Sequence, residues 1–542
     1  MDVEMDIDGG HLDDFARGTH DFLNWFRSLP GATFHEDTRI EDLRGKNAGR
    51  GIIATKPIEP ETVLFTIPRD SIISTSTSEL PTLLPEVFKQ PDNAEEDSDS
   101  ESEEEQAPTY PPRQDPWTSL ILILIYEHFR SLPTSPSYSR WAPYLSILPS
   151  EFDTPMFWTL EEVSQLQASS LVSKIGKDKA DAMIRTKILP VIRRNPSVFF
   201  PSASTGSIPS DSEITSLAHK MGSAIMAYAF DLEKEDSDDQ PNPAHNPQDG
   251  DSDGEEEDSW IEDQPPKPSQ MAMVPLADIL NSDAEFNAFI NHDSPTHLTA
   301  LSIRRIEPGE EILNYYGPLP SSELLRRYGY VTPKHTRYDV VELSWELVAK
   351  YLRQALITKY NLTEDTWQKT HQKIQNDGDF DLEEAFVLER HSEDPDSTGQ
   401  LTSEAVFASL PEDLSEQVKY LLKMIKKVGG PEFEKLGDKD IRNEIYLDAV
   451  LKALKEREGE YGTTVEEDER ILDEAANGNG PSRRVQMAVW VRMGEKKLLR
   501  EAQKCVGDKL DEVRAKVSAA ASTTSAKRSA GGEEPSAKRR RG

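Results

Sequence analysis

The stretch EPGEEILNYYGPLPSSELLRRYGYV (residues 307–331) holds two tyrosine–glycine pairs, Tyr316-Gly317 and Tyr328-Gly329. A phenol can donate or accept a hydrogen bond, and a neighbouring glycine lets the backbone turn or lets a ligand approach closely. Two readings follow: turns with packed aromatics, or one wall of a pocket. In VPLADILNS (274–282), Asp278, Asn281 and Ser282 are polar groups set in an apolar run, where a buried side chain must find partners. They either cap a short helix or present a donor and an acceptor to a ligand. Gly49-Arg50-Gly51 is a third candidate. It lacks the strand–GxGxxG–helix setting of a dinucleotide site, and a simple turn explains it equally well. Cys505 is the single cysteine, which excludes an internal disulfide and a cysteine-based zinc cluster.

The elements that must position these residues follow from periodicity. Phe15, Phe22, Phe26 and Leu29 fall at helical spacing, ended by Pro30-Gly31. Ile52-Ile53-Ala54 and Val63–Ile67 read as strands around a proline-containing turn. From 116 to 232 the pattern is helical. LILILI (120–125) also fits a strand, but its apolar run continues through Tyr126 and Phe129, which favours a helix. The segments from 271 to 331, RYGYV included, read as strand-rich, and everything from 339 onward as all-helical. The expected fold class is therefore α+β: a β-rich domain at 15–335, split by a helical insert at about 116–232, then a helical domain at 339–515. No repeat of fixed period is present.

Of the formal charge of −37, residues 92–106 carry −9 and residues 231–263 carry −14. Both tracts have too little apolar surface to offset the entropy of ordering, so acidic inserts at 92–106 and 233–264 are expected to be disordered. A dock for a basic partner is the other reading. No apolar run approaches the ~20 residues that span a bilayer, and MDVEMDIDGG has no apolar signal core; no membrane association is expected. At the other end, a basic tail (516–542), expected to be disordered, holds Lys527-Arg528 and Lys538–Arg541, spaced like a bipartite nuclear-import signal. That implies an import receptor as partner and the nucleus, with the cytoplasm, as location; a solvated basic tail is the plain alternative.

Taken in order, NAGRGIIATKPIEPETVLFTIP, a helical insert, ADILNS, IEPGEEILNYYG and LLRRYGYV resemble the SET-domain protein lysine methyltransferases, in the Rubisco-methyltransferase-like branch. The similarity covers about 15–515 and includes RRVQMAVWVRMGEKKLL near the end. It implies S-adenosyl-L-methionine as cofactor and no metal. Ala48, Gly49 and Arg50 match the cofactor loop, Tyr228 a cofactor contact, Asn281-Ser282 the family's Asn-His pair, and Tyr328 a second aromatic wall. Tyr316 matches the catalytic tyrosine, and with Asp278 it is assigned to the substrate lysine. Serine at 282, where the family often has histidine, is tolerated if that residue contacts the cofactor through its backbone; if the imidazole packs against the adenine, serine lowers affinity.

The implied reaction is in-line displacement at a sulfonium methyl, chiefly a positioning task. The lysine must react neutral, against a reference pKa of about 10.4, and an apolar channel beside a cation favours that form. Tyr316 would orient the amine; no general base is assigned. A basic protein is the implied substrate, a large-subunit ribosomal protein by resemblance, with no direct nucleic-acid partner. A histone or other nuclear target, and a non-catalytic SET-like binder of basic proteins, are the alternatives.

Overall fold

The computed structural model describes residues 13–46, 48–88, 115–133, 135, 137–201, 208–233, 269–292, 294–377 and 382–530. The acidic tract at 92–106, most of the one at 233–264, and Lys538–Arg541 lie outside the described residues. The chain forms two compact units. The first takes residues up to Phe152, then Lys177–Tyr315 and Ser397–Gly399; the second takes Asp153–Gly176, Tyr316–Asp396 and Gln400 onward.

In the first unit, three small antiparallel sheets carry the framework. One runs Thr33–Phe34, Val63–Pro68, His297–Ser302, Ala288–Asn291 in spatial order. A second places Arg50–Ala54 between Thr38–Asp42 and Glu311–Ile312, with Ile52 opposite both Ile40 and Ile312. Gly51 to Ala54 are all buried, so this central strand is covered on both faces. Ala229–Glu233 pairs with Ser269–Met273, so the helical insert ends in a strand.

LILILI is helical: it lies in the helix Pro116–Arg130, capped by the Asp115 carboxylate on the Thr118 amide, with Thr118 through Glu127 all buried. Burial on every side removes the amphipathic stripe, which is why its alternation resembles a strand. Its partner helix, Asp211–Tyr228, opens on a Ser210/Glu213 capping box.

The second unit departs from the expected all-helical domain. Val340–Ser344 pairs antiparallel with Ala385–Glu389 across the two helices Trp345–Tyr360 and Glu364–Asp377 that separate them in sequence. VVELS is β-branched and alternates, and Ser344 then caps the helix Trp345–Tyr360. The helices Glu412–Gly429, Lys439–Gly459 and Arg483–Ala530 close a core that includes Leu352, Leu421, Leu454 and Leu498. The unit also recruits residues 153–176 and 316–335, both expected in the β-rich domain. Trp158, Leu166 and Leu171 pack with Leu325, Met487 and Val491, a separate apolar cluster that sequence distance conceals. The last helix runs to Ala530, past the expected boundary at 516; alanines in KVSAAASTTSAKRSA favour its continuation.

RYGYV is not a strand. Tyr328 ends the helix Ser321–Tyr328, and Gly329 at φ 75° supplies its left-handed C-terminal stop. A Cβ there would also lie 3.0 Å from backbone atoms of Asp153 and Thr154.

Candidate functional site

A cleft of about 590 Å³ opens in the first unit, within the size range of cofactor pockets. Gly49, Arg50, Tyr228, Asp278 and Asn281 all line it, so three distant chain segments named from sequence converge. Of the other residues named from sequence, Ala48, Ser282, Tyr316 and Tyr328 are not among those that line it; Ala48 and Ser282 are each adjacent to one that does.

The GRG motif divides its labour. Gly49 faces open space, so the main chain there is accessible to a ligand. At Gly51 a Cβ would meet Leu43 Cδ1 at 2.4 Å and Glu311 Oε1 at 2.7 Å, so glycine is required for close packing. Asn281 explains the crowding: its Nδ2 donates to Glu311 Oε1 (2.7 Å) and to the Arg50 carbonyl (3.1 Å). The amide thereby ties the Asn281 segment to two strands, and any ligand contact it makes uses its oxygen or main chain. Ser282 is buried and pairs with Asn314 through a parallel backbone bridge.

Asp278 does not cap a helix. Leu276, at φ 78°, precedes the short turn Ala277–Ile279, and the Asp278 carboxylate instead accepts from the Tyr144 hydroxyl at 2.7 Å. Its other oxygen, Oδ1, is buried with no protein hydrogen bond. Asp278 is also among the residues that line the cleft. Burial pushes the carboxyl up to about 7, against the opposing pull of the Tyr144 hydrogen bond, nearby amides and Arg50. Tyr228, enclosed and near the same carboxylate, is held above the usual phenol range.

Sequence reasoning missed the other wall. Phe15 is not a core residue: it is half-buried between two guanidinium groups, Arg44 at 3.9 Å and Arg50 at 3.8 Å from its ring. Arg50 also donates to the Thr19 hydroxyl and to the carbonyls of Ile147 and Phe15. Asp14, Phe15, Gly18, Arg44 and Ile279, with residues 146–151, complete the lining. Phe15 shares the spacing of Phe22 and Phe26, which are fully buried, so periodicity could not separate it from them.

The two tyrosines belong to the second unit, whose segment Tyr316–Asp396 starts two residues beyond the Asn314 amide that bonds the Asn281 carbonyl at 2.9 Å. Tyr316 and Tyr328 stack on each other, centroids 4.9 Å apart and planes inclined by 25°. Both following glycines have positive φ, 100° at Gly317 and 75° at Gly329. The reading of turns with packed aromatics is therefore realised at both pairs. Burial holds the Tyr328 phenol above its usual range.

A raised Asp278 has a thermodynamic signature. Its folded value exceeds the unfolded one near 4, so the folded form is favoured while the carboxyl is protonated. That advantage disappears as pH rises from about 4 through about 7. Relative to Asp278→Asn, the wild-type melting temperature should fall across that window and level off above it. A pH-independent difference would show that Asp278 ionises normally.

Two family models match the chain: the SET domain over residues 49–317 and the Rubisco LSMT substrate-binding domain over 323–499. The chain is thus a SET-domain protein with a substrate-binding domain of the Rubisco LSMT type. Among curated relatives, ribosomal lysine N-methyltransferase 4 of Saccharomyces cerevisiae is 31% identical over 354 residues, 64% of this chain and 62% of that protein. N-lysine methyltransferase setd6 of Danio rerio is 26% identical over 89% of this chain and 94% of its own length. Against solved structures, Rubisco LSMT bound to AdoMet aligns at TM-score 0.54 and 18% identity. The SET domain of LSMT bound to MeLysine and AdoHcy aligns at 0.56 and 18%. Each alignment covers 92% of this chain and 93% of the other.

Proposed function

We propose that the chain is an S-adenosylmethionine-dependent protein-lysine N-methyltransferase whose substrate is a large-subunit ribosomal protein. The observation that carries the reading is the convergence of Gly49, Arg50, Tyr228, Asp278 and Asn281 on one cleft. These are the residues that the family resemblance assigns to cofactor and lysine. The fit is chemical as well as spatial. An open glycine backbone, cationic side chains fixed on Phe15, and a buried carboxylate oxygen lacking a protein partner suit a zwitterionic, sulfonium-bearing ligand.

When bound, S-adenosylmethionine supplies a methyl group on a positively charged sulfur. The Gly49–Arg50 main chain, Tyr228 and Asn281 would hold it. Asp278 would accept a cation, and Tyr316 would orient the lysine amine through its hydroxyl.

The ribosomal target has narrower support: the yeast relative is named for it, and the match spans 62% of that protein. Nuclear entry is supported by the two basic clusters alone. Mass spectrometry of large-subunit ribosomal proteins, from cells lacking the protein and cells carrying a tagged copy, tests both points. A lysine methylated only with the copy present, and the copy found in nuclei, are expected. An unchanged ribosomal methylation pattern would redirect the search to other basic proteins. Exclusion of the copy from nuclei would refute the import reading.

A further inference from the structure

We propose that Tyr144 is a positioning residue: it holds the Asp278 carboxyl toward the cleft as the group that receives a positive charge of the incoming ligand. The inference rests on the methyltransferase reading and assigns a role to a residue of the helical insert. Tyr144 lies in the short helix Ala142–Leu145, is fully buried, and packs its ring against Phe22 with centroids 6.2 Å apart. Its hydroxyl donates to one Asp278 oxygen while the other, Oδ1, is buried and has no hydrogen-bond partner in the protein. A carboxylate satisfied on one side only, at the wall of a cleft, is suited to a cation arriving from the other.

The turn that carries Tyr144 is itself anchored. Ser139 donates to the buried Glu127 carboxylate at 2.6 Å, which also accepts from Ser78, and the Trp141 indole donates to the Ser71 carbonyl at 2.7 Å. The hydroxyl is therefore aimed by fixed partners. The other charged or titratable groups around Asp278 are accounted for. Arg50 favours the carboxylate, although its guanidinium is bonded to Thr19, Ile147 and Phe15. Tyr228 is a phenol held neutral, and Asp14, Arg44 and Glu151 lie elsewhere on the lining. With the carboxyl pushed up to about 7 by burial, an arriving cation should expel its proton.

Calorimetry of S-adenosylmethionine binding to the full chain, in buffers of different ionisation enthalpy, counts protons released. Near pH 6 the wild type should release a large fraction of one proton more than Asp278→Asn, with the difference vanishing well above pH 7. Tyr144→Phe keeps the ring packing but loses the donor, so the release window should move up by about one pH unit. Release with S-adenosylmethionine but not with S-adenosylhomocysteine assigns the sulfonium as the partner. Release with both assigns the ammonium, and either supports the proposal. Equal release by wild type and Asp278→Asn overturns the cation-receiving role. An unmoved window in a folded Tyr144→Phe overturns the positioning role, and the wild-type comparison stands if that variant does not fold. Absence of any binding heat would instead sink the methyltransferase reading itself.

Discussion

Tyr316→Phe should retain the fold and most cofactor affinity while losing roughly 30- to 1,000-fold in methyl-transfer rate. A hydroxyl whose hydrogen bond forms chiefly in the transition state contributes on the order of 2–4 kcal/mol, and each 1.36 kcal/mol is about a decade in rate. The ring survives the substitution, so the 4.9 Å stack on Tyr328 is preserved and the effect isolates the hydroxyl. Tyr328→Ala removes the partner ring instead and should weaken S-adenosylmethionine binding. Single-turnover rate and cofactor affinity, with circular dichroism on each variant, separate the two roles. Wild-type transfer by Tyr316→Phe would end the catalytic assignment. Two unfolded variants would make the tyrosines packing residues only.

Asp468→Asn should destabilise the second unit by about 3–5 kcal/mol, the usual consequence of leaving a buried charge uncompensated. Asp468 is fully buried in the helix Val465–Ala476 and faces two buried cations. Arg492 donates to it at 2.8 Å and Lys496 lies at 2.5 Å, with side chains 1% exposed. Arg492 also bonds the Gln165 carbonyl at 2.5 Å, and Lys496 the Thr463 carbonyl at 2.7 Å. The cluster thus joins residues 153–176 to the last helices of the same unit. Asparagine keeps the shape but removes the carboxylate that both cations share, whereas Lys496→Met removes a cation and leaves the Asp468–Arg492 pair intact. Urea unfolding together with hydrogen exchange across Arg483–Ala530 should rank Asp468→Asn as far the more damaging. A loss under about 1 kcal/mol would mean that water or a neighbour replaces the carboxylate.

Much of the site was legible in the sequence because its parts depend on local chemistry. Glycine at 317 and 329 answers to positive φ, a local demand that excludes most other side chains wherever the chain goes. The order of the motifs around a helical insert identified the SET architecture, and the continuation of LILILI through Tyr126 and Phe129 identified its helix. Tertiary structure decided what depends on contacts between distant segments. Periodicity marks Phe15, Phe22 and Phe26 alike; only the approach of Arg44 and Arg50 turns the first toward the cleft. An apolar cluster spanning Trp158, Leu325 and Val491 assigns residues 153–176 to the second unit, although they lie within the insert by sequence. Asp278 became a half-satisfied buried carboxylate because Tyr144, 134 positions away, supplies its one side-chain donor. Such a group acquires its protonation from the dielectric and partners that folding brings to it, and no spacing along the chain encodes those directly.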